Sequence, residues 1–535
     1  MYSHQLLIKD LLLTPVVNNP EQEIIYSDLY RFTYREFHQR VKKLANMLTD
    51  LGIKQGDTVA VMDYDSHRYL ELYFAVPMIG AVLHTVNVKL TAEQILYTIE
   101  HAEDSIIFVH QDFIPILEHI RGRISTVSQC ILLQDEKKAV HSTIPFSGEY
   151  ESILATAEDE FVFETFDENT RATTFYTTGT TGMPKGVYFS HRQLVLHTLG
   201  AIAALATSTS QNFRRDDVYM PLTPMFHVHA WGLPYVATFM GVKQVYPGKY
   251  IPNNLLELID REKVTFSHCV PTILHMLLRS EKIDAIDLSH WKVIIGGATL
   301  PKGMCRQALE KGIDVFTGYG MSETCPILTL VQLNKEELAA DLDTQAALRA
   351  KTGKPLGLVD IRIVDEAMHD VASDGEAVGE LVVRSPWLTA GYFKDKKNTA
   401  NLWKNGYLHT GDVANRSPDG HYKITDRSKD IVKVAGEWVS SLELEDIINQ
   451  HPAVSEVAVV AMPHDKWTEI PLALVVINKE PSRQLKKAIL EHTKEYIRKG
   501  IMARESMLIK IKFVEVIDKT SVGKIDKKAL RKKHC

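Results

Sequence analysis

Cysteine is scarce and unpaired: Cys130, Cys269, Cys305, Cys325 and Cys535 stand far apart, with no CxxC spacing. That argues against a finger-type zinc site and a disulfide framework, and suits a reducing compartment. No uninterrupted apolar run approaches the roughly 20 residues of a membrane-spanning helix. The N-terminus lacks the charged, apolar and small-residue order of a secretory leader, so no integral membrane segment and a cytosolic location are expected. Basic charge is not in excess either. With 61 Lys and Arg against 67 Asp and Glu, the net charge is −6, and nothing in that balance asks for nucleic acid. Long repeats and low-complexity linkers are absent too.

What remains is a chain of 535 residues, 45% hydrophobic and 24% charged. That is a globular balance, and too long for one ordinary core, so two or more domains are expected. The first part alternates helix and strand. Thr33-Tyr-Arg-Glu36 has capping-box spacing and opens an amphipathic run that Gly52 stops. A strand over 57–62, a helix over 68–79, a strand over 81–86, a second capped helix from Thr91-Ala-Glu-Gln94 and a strand over 105–110 follow. Strands separated by helices imply parallel βαβ units. The rhythm returns near 218–220, 244–246, 265–270 and 293–295, as one large α/β body built on parallel sheets. After about residue 350, short strands over 361–364 and 379–384 mark a smaller β-rich portion. A charged junction, 426–430, separates residues 1–425 from 426–535. Beyond it come a helix over 440–450, with a capping box at Ser440-Ser-Leu-Glu443, and strands over 456–462 and 472–477.

The chemistry concentrates in five segments. Tyr176-Thr-Thr-Gly179-Thr-Thr-Gly182-Met-Pro184-Lys185-Gly186-Val187 offers glycines that let backbone amides wrap phosphate oxygens, hydroxyl donors and one cation. It is not a Walker A loop, because Pro184 stands where that loop needs its glycine–lysine step. An ordinary Thr/Gly-rich turn is the plainer alternative for this segment alone. Gly318-Tyr319-Gly320-Met321-Ser322-Glu323-Thr324 then sets an aromatic face beside a carboxylate. Tyr407-Leu-His-Thr410-Gly411-Asp412 offers a carboxylate suited to paired ribose hydroxyls. Asp426-Arg427-Ser-Lys429-Asp430 occupies the junction, and Lys519-Thr-Ser-Val-Gly523-Lys524 places a lysine on a glycine turn.

In this order the segments resemble the adenylate-forming superfamily of acyl-CoA synthetases, luciferases and peptide-synthetase adenylation domains, over nearly the whole chain. Pro224-Met-Phe-His227-Val-His-Ala-Trp231 and Lys433-Val-Ala-Gly436-Glu437-Trp438 look like its medium- and long-chain fatty-acid–CoA ligase branch. The resemblance implies a large N-terminal domain and a small mobile α+β C-terminal lid. It also implies three ligands, ATP, Mg²⁺ and coenzyme A, a small carboxylic acid as the remaining substrate, and a homodimer as the candidate assembly. Thr177, Thr178, Gly179, Thr180, Thr181, Gly182 and Lys185 would hold the β- and γ-phosphates, with Thr177 and Glu323 at the metal. Tyr319 would stack on adenine beside Gly297 and Ala298, with Gly320, Met321, Ser322 and Thr324 around it. Asp412 and Arg427 would take the ribose. His227 would stand beside the carboxylate and Trp231 would gate an acyl tunnel, a buried core tryptophan being its plainer alternative. Lys524 would bridge carboxylate and α-phosphate, Lys429 would be the hinge, and Lys433, Gly436 and Trp438 would act in a second, thioester-forming pose.

Two places depart from the pattern. His229 stands where relatives often carry Asn, and 495–504 lacks the usual aromatic-then-proline pattern. Two rival readings stay open: transfer of the acyl group to a carrier protein, or a short-chain or aryl acid as substrate. A catalytically dead nucleotide-binding protein would be expected to lose Lys524 or Glu323, and both are present.

Overall fold

The computed structural model describes residues 4–136, 140–177, 183–434, 437–499, 502–520 and 524–535. Among these, two large sheets form the N-terminal body. A seven-stranded sheet runs in the order Phe146–Glu149, Gln129–Leu133, Asp104–His110, Thr58–Met62, Val82–Thr85, Arg171–Thr177, Lys185–Ser190. It is parallel as far as Arg171–Thr177, and only the last pair is antiparallel. A nine-stranded sheet is parallel from Asp314–Gly320 through Lys292–Ile295, Phe266–Cys269, Val218–Leu222 and Lys243–Tyr246 to Glu23–Tyr26, with antiparallel edges. Thr58–Met62 is buried at every position, as a strand covered by helices on both faces must be.

Local chemistry explains the helix starts. Thr33 and Thr91 each accept the amide three residues on, while Glu36 and Gln94 reach back to the cap amide. Each cap contributes about 1 kcal/mol. At Ser440 only half of the expected box forms. Ser440 accepts the amide of Glu443, but the Glu443 carboxylate is drawn to Lys423 at 2.8 Å.

The small β-rich portion is an antiparallel sheet of Asp360–Val364, Gly379–Arg384, Tyr407–Arg416 and Trp403–Lys404, extended by Tyr422–Arg427. Its last strand carries Asp426 and Arg427. From Val432 onward a new sheet begins, with Val432–Val434, Glu437–Val439, Val454–His464, Thr468–Ile477 and Lys510–Phe513 packed by Ser441–Asn449 and Arg483–Arg498. These elements bury their own apolar core, including Leu444, Val459, Val475, Ile489 and Ile511. No helix among the described residues is long and apolar enough to cross a membrane.

Candidate active site

The strands on either side of the phosphate segment pair with each other: Arg171–Thr177 runs antiparallel to Lys185–Ser190, and Thr177 lies opposite Lys185. Thr178, Gly179, Thr180, Thr181 and Gly182 lie outside the described residues, as does Gly436. The Lys185 ammonium sits 4.7 Å from the centre of the Tyr392 ring. The Tyr392 hydroxyl donates to Glu323 Oε1 at 2.6 Å, and burial followed by the Glu323 charge pushes that phenol up. Lys185 and Glu323 are thus joined through Tyr392, a residue the sequence alone did not indicate. It stands 69 positions from its partner, and no spacing rule links them.

Glu323 is only 7% exposed. Thr324, expected near the nucleotide, spends its hydroxyl internally on Met321 and Pro326. That locks the 321–326 turn. Gly320 has no room for a side chain, since a Cβ there would lie 1.8 Å from the Pro326 carbonyl oxygen.

Tyr319, Asp412 and Arg427 form one unit. The Tyr319 hydroxyl donates to Asp412 Oδ2 at 2.7 Å, and Arg427 Nε lies 3.0 Å from Asp412 Oδ1. Asp412 and Arg427 are cross-strand partners, so the small sheet sets their geometry. Burial and then Asp412 hold the Tyr319 phenol well above its ordinary range, keeping it a hydrogen-bond donor.

The 224–232 segment is unusual. Val228, His229, Ala230 and Trp231 all have positive φ (50°, 55°, 46° and 60°), followed by Gly232 at 72°. A left-handed turn costs L-residues roughly 1–2 kcal/mol each, so something must hold it. Met225 N donates to Asp65 Oδ1 at 2.8 Å, Tyr73 donates to the Met225 carbonyl, and Thr85 donates to that of Phe226 at 3.0 Å. This clamp brings His227 and Trp231 onto one cavity wall. Trp231 is 5% exposed and lies 5.0 Å from the His268 ring. His229 is buried outside that cavity with Nε2 2.8 Å from Thr173 Oγ1.

That cavity, about 390 Å³, brings together His227, Trp231, Gly297, Tyr319, Gly320, Met321, Ser322 and Lys524. Lys524 arrives from the C-terminal region, its Cε 3.5 Å from where a Gly297 Cβ would stand. Burial first, then the Arg427 guanidinium, lowers its ammonium to about 8, while Asp412 and Glu323 oppose that fall. Burial and then Lys524 and Lys89 lower His227 to about 3, so its imidazole is neutral. Gly296 and Ile294, not foreseen, complete the wall. Ala298 is exposed and not part of this lining.

Lys429, Lys433 and Trp438 are exposed, and none of them lines the cavity. Lys433 and Trp438 face each other across the hairpin of Val432–Val434 and Glu437–Val439. Partial loss of water around its ammonium, followed by the Arg427 charge, lowers Lys429 despite its exposed stem.

No group of three or more His, Cys, Asp or Glu able to hold a metal occurs among the described residues. One buried carboxylate, Glu323, and one hydroxyl, Thr177, are what the segments offer. That donor set fits Mg²⁺, which keeps several waters and shares its remaining positions with substrate phosphates.

The model of the family described as "AMP-binding enzyme" matches residues 14–393, and that of the "AMP-binding enzyme C-terminal domain" matches 443–524. A long-chain-fatty-acid–CoA ligase of Thermus thermophilus is 39% identical over 512 residues, 95% of this chain and 91% of the relative. A 3-methylmercaptopropionyl-CoA ligase of Ruegeria pomeroyi is 37% identical, covering 92% and 89%. The crystal structure of the anthranilate CoA ligase AuaEII in complex with anthranoyl-AMP superposes with a TM-score of 0.86 at 23% identity, covering 98% and 97%. That last likeness is one of fold.

Proposed function

Because the chain belongs to the AMP-binding enzyme family and is an acid–thiol ligase, we propose that it activates a fatty acid with ATP as the acyl-adenylate, releases pyrophosphate, and transfers the acyl group to coenzyme A. The observation that carries the proposal is the convergence of Lys524, Tyr319, His227 and Trp231 on one cavity, with Asp412 bonded to Tyr319.

Like-charge repulsion is the obstacle to this reaction, since a carboxylate must approach an anionic triphosphate. Lys524 offsets it by placing an ammonium between the attacking oxygen and the α-phosphate, in a partly buried setting where charge is weakly screened. Tyr319 supports adenine and Asp412 accepts from the ribose hydroxyls. Neutral His227 holds the acid's oxygen without adding a competing charge. Glu323 and Thr177 would hold Mg²⁺, which neutralises phosphate charge when bound. Positioning and electrostatics, rather than covalent chemistry, are the protein's share. The reading places the enzyme in the cytosol, where ATP and CoA are supplied, with a homodimer as its assembly.

AMP release from ATP, measured with straight-chain, branched and aromatic acids with and without CoA, tests the proposal. A CoA-dependent peak among straight-chain acids, expected at medium length, establishes it. AMP or bound adenylate without CoA dependence moves the acceptor to a carrier-protein thiol. A short-acid reading has one observation in its favour: Trp231 lies over His268, whose nitrogens are both engaged, by Tyr219 and Thr223. That pair would stand at the end of the acyl site and favour a short acid.

Two further results are expected. First, kcat/KM for adenylation should fall above pH 8, because the free enzyme's Lys524 loses its proton as pH rises through about 8. Lys524→Arg should run more slowly yet lack that alkaline limb, and a flat profile in the unaltered enzyme would contradict the assignment. Second, Tyr392→Phe removes one hydrogen bond to a buried carboxylate, an interaction of about 1.5–3 kcal/mol. Adenylation should drop about tenfold and require more Mg²⁺, with little change in melting temperature; an unchanged Mg²⁺ titration would remove Tyr392 from the site.

A further inference from the structure

A second cavity, of about 560 Å³, is lined by Tyr97, His101, Lys185, Phe393, Asp395 and Asn398 among others. It shares Lys185 with the phosphate hairpin. The Lys185 ammonium lies 4.7 Å from the Tyr392 ring and Tyr392 donates to Glu323, so these contacts link this cavity to that carboxylate. On one side, Tyr97 stacks on His101 at 5.2 Å, and His101 Nδ1 lies 2.8 Å from the hydroxyl of Tyr176, the residue before Thr177. Lys394 Nζ donates to the His101 carbonyl at 3.2 Å. Tyr97, His101 and Asn398 have no part in the adenylation machinery described above.

We propose that this cavity is the exit for inorganic pyrophosphate, which passes Lys185 and leaves between His101 and Asn398 while Lys524 still closes the first cavity. The inference rests on the adenylation reading. In that step the carboxylate oxygen forms a bond to the α-phosphorus and the α–β phosphoanhydride bond breaks. The electron pair goes to the leaving pyrophosphate, whose β- and γ-phosphates lie at the hairpin, away from the acyl group. A polyanion leaving through protein needs positive charge along its path. Lys185 supplies it at the inner end; Lys394, which holds the His101 carbonyl, is itself paired with Glu103 at 2.9 Å. It must also not be trapped, and Asp395, whose carboxyl is held low by hydrogen bonds from Asn398 first and by the Lys185 charge after them, repels a bound anion. His101 is kept towards the neutral form by burial and then by Lys394, so it adds no second strong anchor.

The test plugs the cavity in the folded protein. Asn398→Cys is combined with Cys535→Ser, because the other four cysteines are buried, and the new thiol is capped with a bulky maleimide. Acid quench reads the acyl-adenylate and a coupled pyrophosphatase assay reads released pyrophosphate, both in a single turnover. In the capped protein, adenylate should form at the uncapped rate while pyrophosphate release slows about tenfold or more. The same variant without maleimide, which has lost the same amide, should release both together. If pyrophosphate keeps pace with adenylate in the capped protein, the product leaves by the lid side and the inference is overturned. Failure of the adenylation reading looks different, as no adenylate would form in the unaltered protein with any acid.

Discussion

Lys524→Ala is expected to lower the rate of acyl-adenylate formation by at least about 10²–10³, the loss typical of removing one preorganised donor from developing negative charge. The side chain lines the cavity with His227 and Tyr319, and no other lysine among the described residues does. Its backbone is held independently of the ammonium: Lys524 N donates to Thr520 Oγ1 at 3.2 Å, and Thr520 N donates to the Lys524 carbonyl at 2.7 Å. Truncation should therefore leave the pairing of Thr520 with Lys524 and the melting temperature nearly unchanged. Thioester formation from synthetic acyl-adenylate and CoA should suffer far less, because no charge then builds on the α-phosphate from an attacking carboxylate. Equal loss in both half-reactions would refute the role given to Lys524.

Lys429→Pro should do the reverse, sparing adenylation and lowering thioester formation by about 10²-fold or more, the scale of a misplaced reacting group. The proposed pivot would lie between two anchors. Ser428 N donates to the Gly411 carbonyl at 3.0 Å, tying position 428 to the small sheet. Asp430 is held by Arg531 of the C-terminal helix at 2.8 Å, tying position 430 to the lid. A rotation of the lid must be taken up between these two anchors, and proline fixes φ there. On the proposed mechanism the present arrangement, with Lys524 on Gly297, would be the adenylating one. The exposed Lys433 and Trp438 are then free to meet the N-terminal body in the other. Undiminished CoA-ester output from Lys429→Pro would rule out a hinge at this position.

Much of this architecture is legible in the chain itself. The strands at 58–62, 82–85, 104–110, 218–222, 243–246, 266–269 and 292–295 fall where helix–strand alternation puts them. Alternation and capping are local signals, carried by neighbouring residues, and Thr33 and Thr91 confirm them atom by atom. At Ser440 the same local rule half failed, because Lys423, on a strand 20 residues away, competed for the Glu443 carboxylate. A sequence window contains no such competitor.

The sequence by itself determined the candidate inventory of the proposed site: a phosphate-type segment, Tyr319, Glu323, Asp412, Arg427 and Lys524. Holding a triphosphate and a developing charge restricts residue types within short stretches, and such stretches read linearly. Only the tertiary structure decided how these parts meet. It placed the Tyr392 hydroxyl on Glu323, bent 228–231 into a left-handed turn held by Asp65, Tyr73 and Thr85, and opened a second cavity behind Lys185. Each of these depends on contacts between residues tens to more than a hundred positions apart. Such contacts are set by the packing of whole sheets and helices, and no periodicity or spacing along the chain encodes them.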